Sequence, residues 1–123
     1  MYRLFARASG LDRLVARYPA GTDPTGTTLT WQTVMIGPVV YRRCVTAHVA
    51  AEGLYLHVRP PFRSYALLFI PWSEVSAVHS AMLHWQRGLR LFIGRPAVAT
   101  ITSVGTLLRS IRPYLPAGLL PPE

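Results

Sequence analysis

Lysine is absent from this chain: all thirteen Lys+Arg positions are arginine, set against five Asp and Glu, for a formal net charge of +8 over 123 residues. Nucleic-acid binders ordinarily mix the two cations. With abundant Ala, Val, Pro and Gly, the missing lysine reads as codon usage in a GC-rich bacterial genome rather than as function. The charge implies a mild attraction to anionic surfaces, but nucleic acid is not the expected partner. Cysteine occurs once, at Cys44, which excludes an intramolecular disulfide and a multi-cysteine zinc site. Long apolar runs are missing as well. The longest charge-free stretch, Pro24 to Tyr41, is full of Thr, Gly and Pro and does not suit a membrane span. Met1–Gly10 holds Arg3 and Arg7 and no apolar h-region, so a secretory signal is not expected and a cytoplasmic location is.

What is present is hydrophobic patterning. Half of the residues are hydrophobic, which is enough for one domain with a real core. The organising stretch is 43–75. Val45, Ala47 and Val49 alternate with Cys44, Thr46 and His48, and Leu54, Leu56 and Val58 alternate with Tyr55, His57 and Arg59. Period-2 alternation marks half-buried strands. Ala50-Ala51-Glu52-Gly53 is short enough for a hairpin loop, and Gly53 is suited to the positive φ such turns often need. Pairing Val49 with Leu54, Ala47 with Leu56 and Val45 with Val58 puts every aliphatic on one face. A one-residue slip would misplace them all.

Around this hairpin, Ser9 to Tyr18 reads as a short helix with Leu11, Leu14, Val15 and Tyr18 on one face, Ser9 and Asp12 at capping spacing, and Pro19 ending it. Such a helix is too short to stand alone and is expected to cover an edge or mouth of the sheet. Thr28 to Ile36 reads as a strand, with a turn at Gly37-Pro38 before Val39-Val40-Tyr41. Arg59 to Tyr65 is a loop, because Pro60 and Pro61 exclude a central strand. Ala66–Ile70 is a buried strand, and Pro71-Trp72-Ser73-Glu74 turns the chain. Val75–Trp85 is an imperfect strand with a bulge. Gln86-Arg87-Gly88 is read as a turn, Leu89–Ile93 as a strand, and Ala97–Ile101 as the last strand. A helix over 103–112, capped by Thr102 or Ser103, presents Val104, Leu107, Leu108 and Ile111 on one face.

The expected fold is mainly β (α+β): six to seven antiparallel strands in a β-sandwich or partly open barrel, with a short N-terminal helix and a C-terminal capping helix. The expected boundaries are 1–27 for the N-terminal helix and linker, 28–115 for the β domain, and 116–123 for a Pro-rich tail.

This order of elements resembles the pleckstrin-homology-like (PH-like) superfold, a bent seven-stranded sandwich or partly open barrel plugged by one C-terminal helix. Glu52-Gly53-Leu54-Tyr55-Leu56, Pro61-Phe62-Arg63 and Phe69-Ile70-Pro71-Trp72-Ser73-Glu74-Val75 resemble motifs of a group of small bacterial proteins with no assigned activity, over roughly residues 10–115. The wording is also similar to GRAM and bacterial PH modules. The resemblance implies a PH-like domain, 28–115, and a binding role. It departs from phosphoinositide-binding relatives, whose first hairpin carries a Lys-x-Arg-type basic strand; here Val34, Ile36, Val39 and Val40 flank that turn. These four form an apolar tip that suits a membrane or partner contact, a core role or a dimer.

Chemistry is sparse. His48 and His57 fall diagonally on the outer hairpin face, roughly 7 Å apart or somewhat less at Cβ, but no carboxylate is near in sequence to complete a metal site, and no cofactor is expected. His79 and His84 have opposite parity. Cys44 and His48 are four residues apart on a strand, roughly 13 Å at about 3.3 Å per residue, which is too far for a nucleophile–base pair. Five scattered acids make no dyad, and no phosphate-cradling glycine loop is present. The expectation is therefore a non-enzyme. The best candidate contacts are Arg87, Arg90 and Arg95 in one hairpin region and Arg59, Phe62 and Arg63 in a loop. Solvated surface is the ordinary role for such arginines; acidic peptide or anionic lipid headgroups are the functional one. The expected role is recognition of a protein or peptide partner along a sheet edge or helix groove, with self-association open. The alternative is peripheral binding to an anionic membrane surface through the arginine loops.

Overall fold

The computed structural model describes residues 10–59 and 67–121. Among these, the extended segments pair as β1 (Thr27–Ile36), β2 (Val39–Val49), β3 (Gly53–Val58), β4 (Leu68–Pro71), β5 (Val75–Leu83), β6 (Gln86–Gly94) and β7 (Ala97–Val104). Helix α1 (Leu11–Arg17) precedes them and α2 (Gly105–Ile111) follows, with 3-10 turns at Trp72–Glu74, Arg112–Tyr114 and Ala117–Leu119. All pairings are antiparallel, in the order β4-β3-β2-β1-β7-β6-β5. Sequence neighbours are spatial neighbours except β4 and β5, which lie at opposite ends of the sheet; the two runs β1–β4 and β5–β7 are joined where β1 meets β7, with Met35 opposite Thr102 and Ile36 opposite Ile101. The sheet thus curls into a half-barrel whose seam lies between β4 and β5.

The central hairpin has the register its aliphatics demand: Val49 faces Leu54, Ala47 faces Leu56 and Val45 faces Val58, and all six are buried. Gly53 serves that hairpin differently from expectation. It is not among the positive-φ residues. Instead, a Cβ there would lie 2.5 Å from the Ile70 carbonyl oxygen and 2.6 Å from the Phe69 ring, so glycine is required by the close approach of β4.

The core fills the concave side. Val34, Ile36, Leu54, Leu56, Leu68, Ile70, Leu91, Ile93 and Ile101 come from the strands, and Leu107, Ile111 and Leu115 close over them. Each such aliphatic contributes roughly 1.5–3 kcal/mol when fully buried. Spacing by four brings Leu107, Ile111 and Leu115 to one side of the terminal segment, while Leu108 stays half-buried. Trp72 ties this cap to the sheet: its indole N–H donates to the Ala50 carbonyl at 2.9 Å and its ring stacks on Tyr114 at 5.5 Å.

Helix α1 buries Leu11 and Leu14 and is held to β7 by Arg13 Nε donating to Val98 O at 2.8 Å. Behind it the chain runs along β4: Phe69 N donates to Tyr18 O at 2.9 Å and Ala20 N to Leu67 O at 3.0 Å. The Tyr18 hydroxyl reaches Glu74 Oε1 at 2.7 Å. The edge of β4 is therefore covered, as buried sheet margins require.

Several sequence expectations change. The residue preceding α1 is Gly10 in a left-handed conformation, with no side-chain cap; Ser9 lies outside the described residues. Thr102 and Ser103 do not cap α2. They belong to β7, which stays paired with β6 as far as Val104 opposite Gly88, and the helix starts only at Gly105. Gln86-Arg87-Gly88 is not a turn but the start of β6, and the turn is His84-Trp85, both at positive φ. Gly88 lies instead where a Cβ would come within 2.3 Å of the Ser103 carbonyl oxygen. At the first turn, Val34 and Ile36 are core, Val39 is half-buried and only Val40 is exposed, so most of that apolar tip is interior. Residues 60–66, which hold most of the expected loop and Ala66 of the expected strand, lie outside the described residues. No helix among the described residues is long and apolar enough to cross a membrane.

Candidate functional site

Of the arginines singled out from the sequence, Arg87, Arg90 and Arg95 do not converge. Eight residues of extended chain separate the first from the last, roughly 26 Å at about 3.3 Å per residue. Arg87 is exposed opposite Met82, on the parity of the buried Leu89, Leu91 and Ile93. Arg90 is half-buried on the other face, opposite His79, with Nε 3.4 Å from Thr102 Oγ1. Arg95 lies beyond the strand and donates to the Ser73 and Val75 carbonyls at 3.0 and 3.4 Å, a role in fixing the turn that leads into β5. Arg59 ends β3 on the outer face; Phe62 and Arg63 fall in the segment outside the described residues.

Two concavities organise the rest. The first is a groove of about 600 Å³ lined by Ser80, Met82, Arg87, Leu89, Leu108 and Arg112, with Ala81, Gly88 and Pro121 at its borders. Its origin is in the β5–β6 pairing. Val78 faces Leu91, Ser80 faces Leu89 and Met82 faces Arg87, so one core-facing surface begins in the buried interior and runs out past it. Met82 remains 56% exposed there. Leu108, on the outward shoulder of α2, forms the opposite wall. The floor is apolar and its two cations are guanidiniums.

The arm ends in the His84-Trp85 turn, where φ is 50° and 65°. Two-residue turns of this kind favour Asn-Gly because both positions are left-handed; each non-glycine costs about 1–2 kcal/mol. Trp85 is 96% exposed at this tip.

The second concavity, about 210 Å³, opens on the convex face and is lined by Thr30, Trp31, Arg43, Cys44, Val45, Thr46 and Arg59. Register slips in β1 between Leu29 and Gln32 and again between Gln32 and Val34. This double irregularity swings Trp31 out to 77% exposure and puts both Trp31 and Arg43 at positive φ, 56° and 53°. Backbone bonds fix the rim: Arg43 N donates to Thr33 Oγ1 at 3.0 Å and Arg59 N to Cys44 O at 2.7 Å. Arg59 Nε also donates to His57 Nδ1 at 3.1 Å. Burial pushes the Cys44 thiol above its ordinary range, outweighing the backbone hydrogen bonds that lower it. The thiol therefore stays protonated at neutral pH and is a poor nucleophile.

The outer-face histidines have other partners. His48 and His57 are diagonal neighbours, as the register requires. His48 Nδ1 lies 2.9 Å from Thr28 Oγ1 and its ring meets Tyr55 edge-on. His79 packs on Phe92, with ring centroids 4.7 Å apart. No group of three or more His, Cys, Asp and Glu able to hold a metal exists among the described residues.

Sequence reasoning missed Trp31, Arg43, Arg112 and the turn position of Trp85. A signal for Trp31 was available: Leu29 and Trp31 share one parity while the stronger aliphatics Val34 and Ile36 hold the other, which requires a bulge between them. Trp85 carried none, since nothing in Leu83-His84-Trp85-Gln86 announces a left-handed turn. Comparison with protein-family models, with curated proteins and with solved structures finds no match to this chain.

Proposed function

We propose that this chain is a non-catalytic binding domain of the PH-like type, and that its partner is a protein or peptide segment seated in the groove between the β5–β6 arm and α2. The groove itself carries the reading: an interior-type surface continues beyond the core between the β5–β6 arm and α2, with Pro121 of the C-terminal segment also lining it, and Arg87 and Arg112 stand beside its apolar floor. That chemistry suits an amphipathic segment with apolar anchors and an acidic side chain. The seven antiparallel strands, a four-strand and a three-strand run joined where β1 meets β7, with a terminal helix over the core, support the PH-like assignment. The non-catalytic part of the reading is supported by the raised Cys44 thiol and by acids that stand far apart in the chain.

The test is selection of peptides from a random display library, followed by anisotropy titration. Enriched peptides should combine apolar and acidic residues, and Leu108→Glu and Arg87→Glu should each weaken them about tenfold, or roughly 1.4 kcal/mol. Failure to enrich any peptide, or undiminished binding by both variants, overturns the reading.

One observation favours an anionic membrane surface instead: the almost fully exposed Trp85 beside Arg87, an amphipathic ring next to a cation. Flotation with vesicles containing phosphatidylglycerol, but not with phosphatidylcholine alone, abolished by Trp85→Ala, would put this reading first.

A further inference from the structure

The convex cleft has a composition that the groove does not explain. Two guanidiniums, an exposed indole and two threonine hydroxyls line one small opening. None of Asp12, Asp23, Glu52 or Glu74 lines it, so the cleft holds positive charge without a counter-charge among the described residues. The Cys44 thiol at its wall adds none, because burial keeps it neutral.

The backbone is bent to make this arrangement. Trp31 and Arg43 stand on adjacent strands, both in the left-handed region that favours glycine or asparagine, at the place where the β1–β2 register slips. Bulges re-aim side chains, and non-glycine left-handed residues gather at functional sites. A sheet selected only for stability would have smaller residues at both positions. Here the distortion instead brings an indole and a guanidinium to one opening. Arg59 is anchored from behind by its Nε bond to His57 Nδ1.

Arginine forks match the oxygens of phosphate, and an exposed indole offers a face for stacking. At about 210 Å³ the cleft is below the roughly 300–1,000 Å³ of pockets for drug-sized ligands. We propose that this cleft binds a phosphate monoester whose molecule also carries a planar ring, with the phosphate between Arg43 and Arg59 and the ring on Trp31. Such a group could come from a nucleoside 5′-monophosphate or from an aryl phosphate, and the test separates them.

Cys44 is the reporter, being the only cysteine and part of the wall. Labelling of the full chain with a maleimide is followed in the presence of phenyl phosphate, a panel of nucleoside 5′-monophosphates, inorganic phosphate or phenol. At ligand concentrations about ten times Kd, labelling should slow about tenfold, by mass action. Protection by phenyl phosphate assigns the aryl class, and protection by a nucleotide alone assigns the nucleotide class. Inorganic phosphate and phenol should need much higher concentrations. Arg43→Asn should lose the protection while raising the melting temperature, since asparagine tolerates the left-handed backbone better than arginine. Trp31→Asn should do the same. That pairing separates lost binding from lost folding. No protection by any ring-bearing phosphate, or equal protection by inorganic phosphate, or retained protection in both variants, overturns the proposal.

Discussion

Along β4 the sheet margin is hydrogen-bonded to the segment behind α1, whereas along β5 no backbone hydrogen bond beyond the pairing with β6 is present among the described residues. The two margins also differ in where their large side chains go. Beside β4, Tyr55 and Phe69 pack at 4.6 Å and Trp72 is buried under Tyr114. On the β5–β6 arm, Met82 and Trp85 face solvent. An exposed strand margin invites pairing with another chain unless it is covered or charged. One margin of this molecule is closed by backbone bonds along its length; the other meets Arg95 at the Val75 carbonyl and the turn Ala117–Leu119, and its β5–β6 end stays accessible on the side where the groove lies.

The contrast can be broken from the closed side first. Ile111→Ala removes a fully buried side chain of the cap and should destabilise by about 2–5 kcal/mol, with any additional loss from incomplete collapse of the cavity; urea unfolding measures it. Tyr18→Phe removes the donor to Glu74 and should cost about 1.5–3 kcal/mol, as for hydrogen bonds to charged groups. This variant also tests pH dependence. Burial, then the Glu74 hydrogen bond and charge, raises the Tyr18 pKa above the ordinary tyrosine value of about 10. The folded state therefore holds this proton where the unfolded state has released it. The corresponding stability is complete below about pH 10 and falls as pH rises through the folded value. Tyr18→Phe should lack that alkaline fall. On the open side the expected sign reverses. The double change His84→Asn, Trp85→Gly supplies the residues a left-handed two-residue turn prefers and should gain about 1–2 kcal/mol. A loss of stability in its place would mean that Trp85 packs on something in the folded protein and that the open side is less open than its exposure implies.

The closed side was also the side legible in the sequence. Period-2 alternation in 45–58 fixed the β2–β3 register because every aliphatic had a single face on which to be buried. Leu107 and Ile111 were readable as a cap for the same reason. The open side was obscure because its determinants are not periodic. The β5–β6 turn depends on two non-glycine residues at positive φ, and no composition rule points to His-Trp for that position. The bulge at Trp31 is a local slip that inverts facing for a few residues, so a strand read with one parity gives no position for the indole. The arginines were grouped by proximity along the chain. An extended strand separates residues that are close in number, and Arg87, Arg90 and Arg95 ended up with three different environments. Arg43 and Arg59, far apart in sequence, were joined only by the β2–β3 pairing.

The seam between β4 and β5 has a kinetic consequence. Every hairpin joins near neighbours in the chain, but other closures do not: Met35 to Thr102 across β1 and β7, Arg13 to Val98 between α1 and β7, and Tyr18 to Phe69 at the covered margin. Distant closures contribute only after the intervening loop has lost its freedom, which slows proteins rich in them. The local ribbons can therefore assemble early, while the half-barrel waits on these late fastenings. Until Tyr18 reaches Phe69, the β4 margin is bare, and the partly folded chain has two adhesive margins where the finished molecule has one.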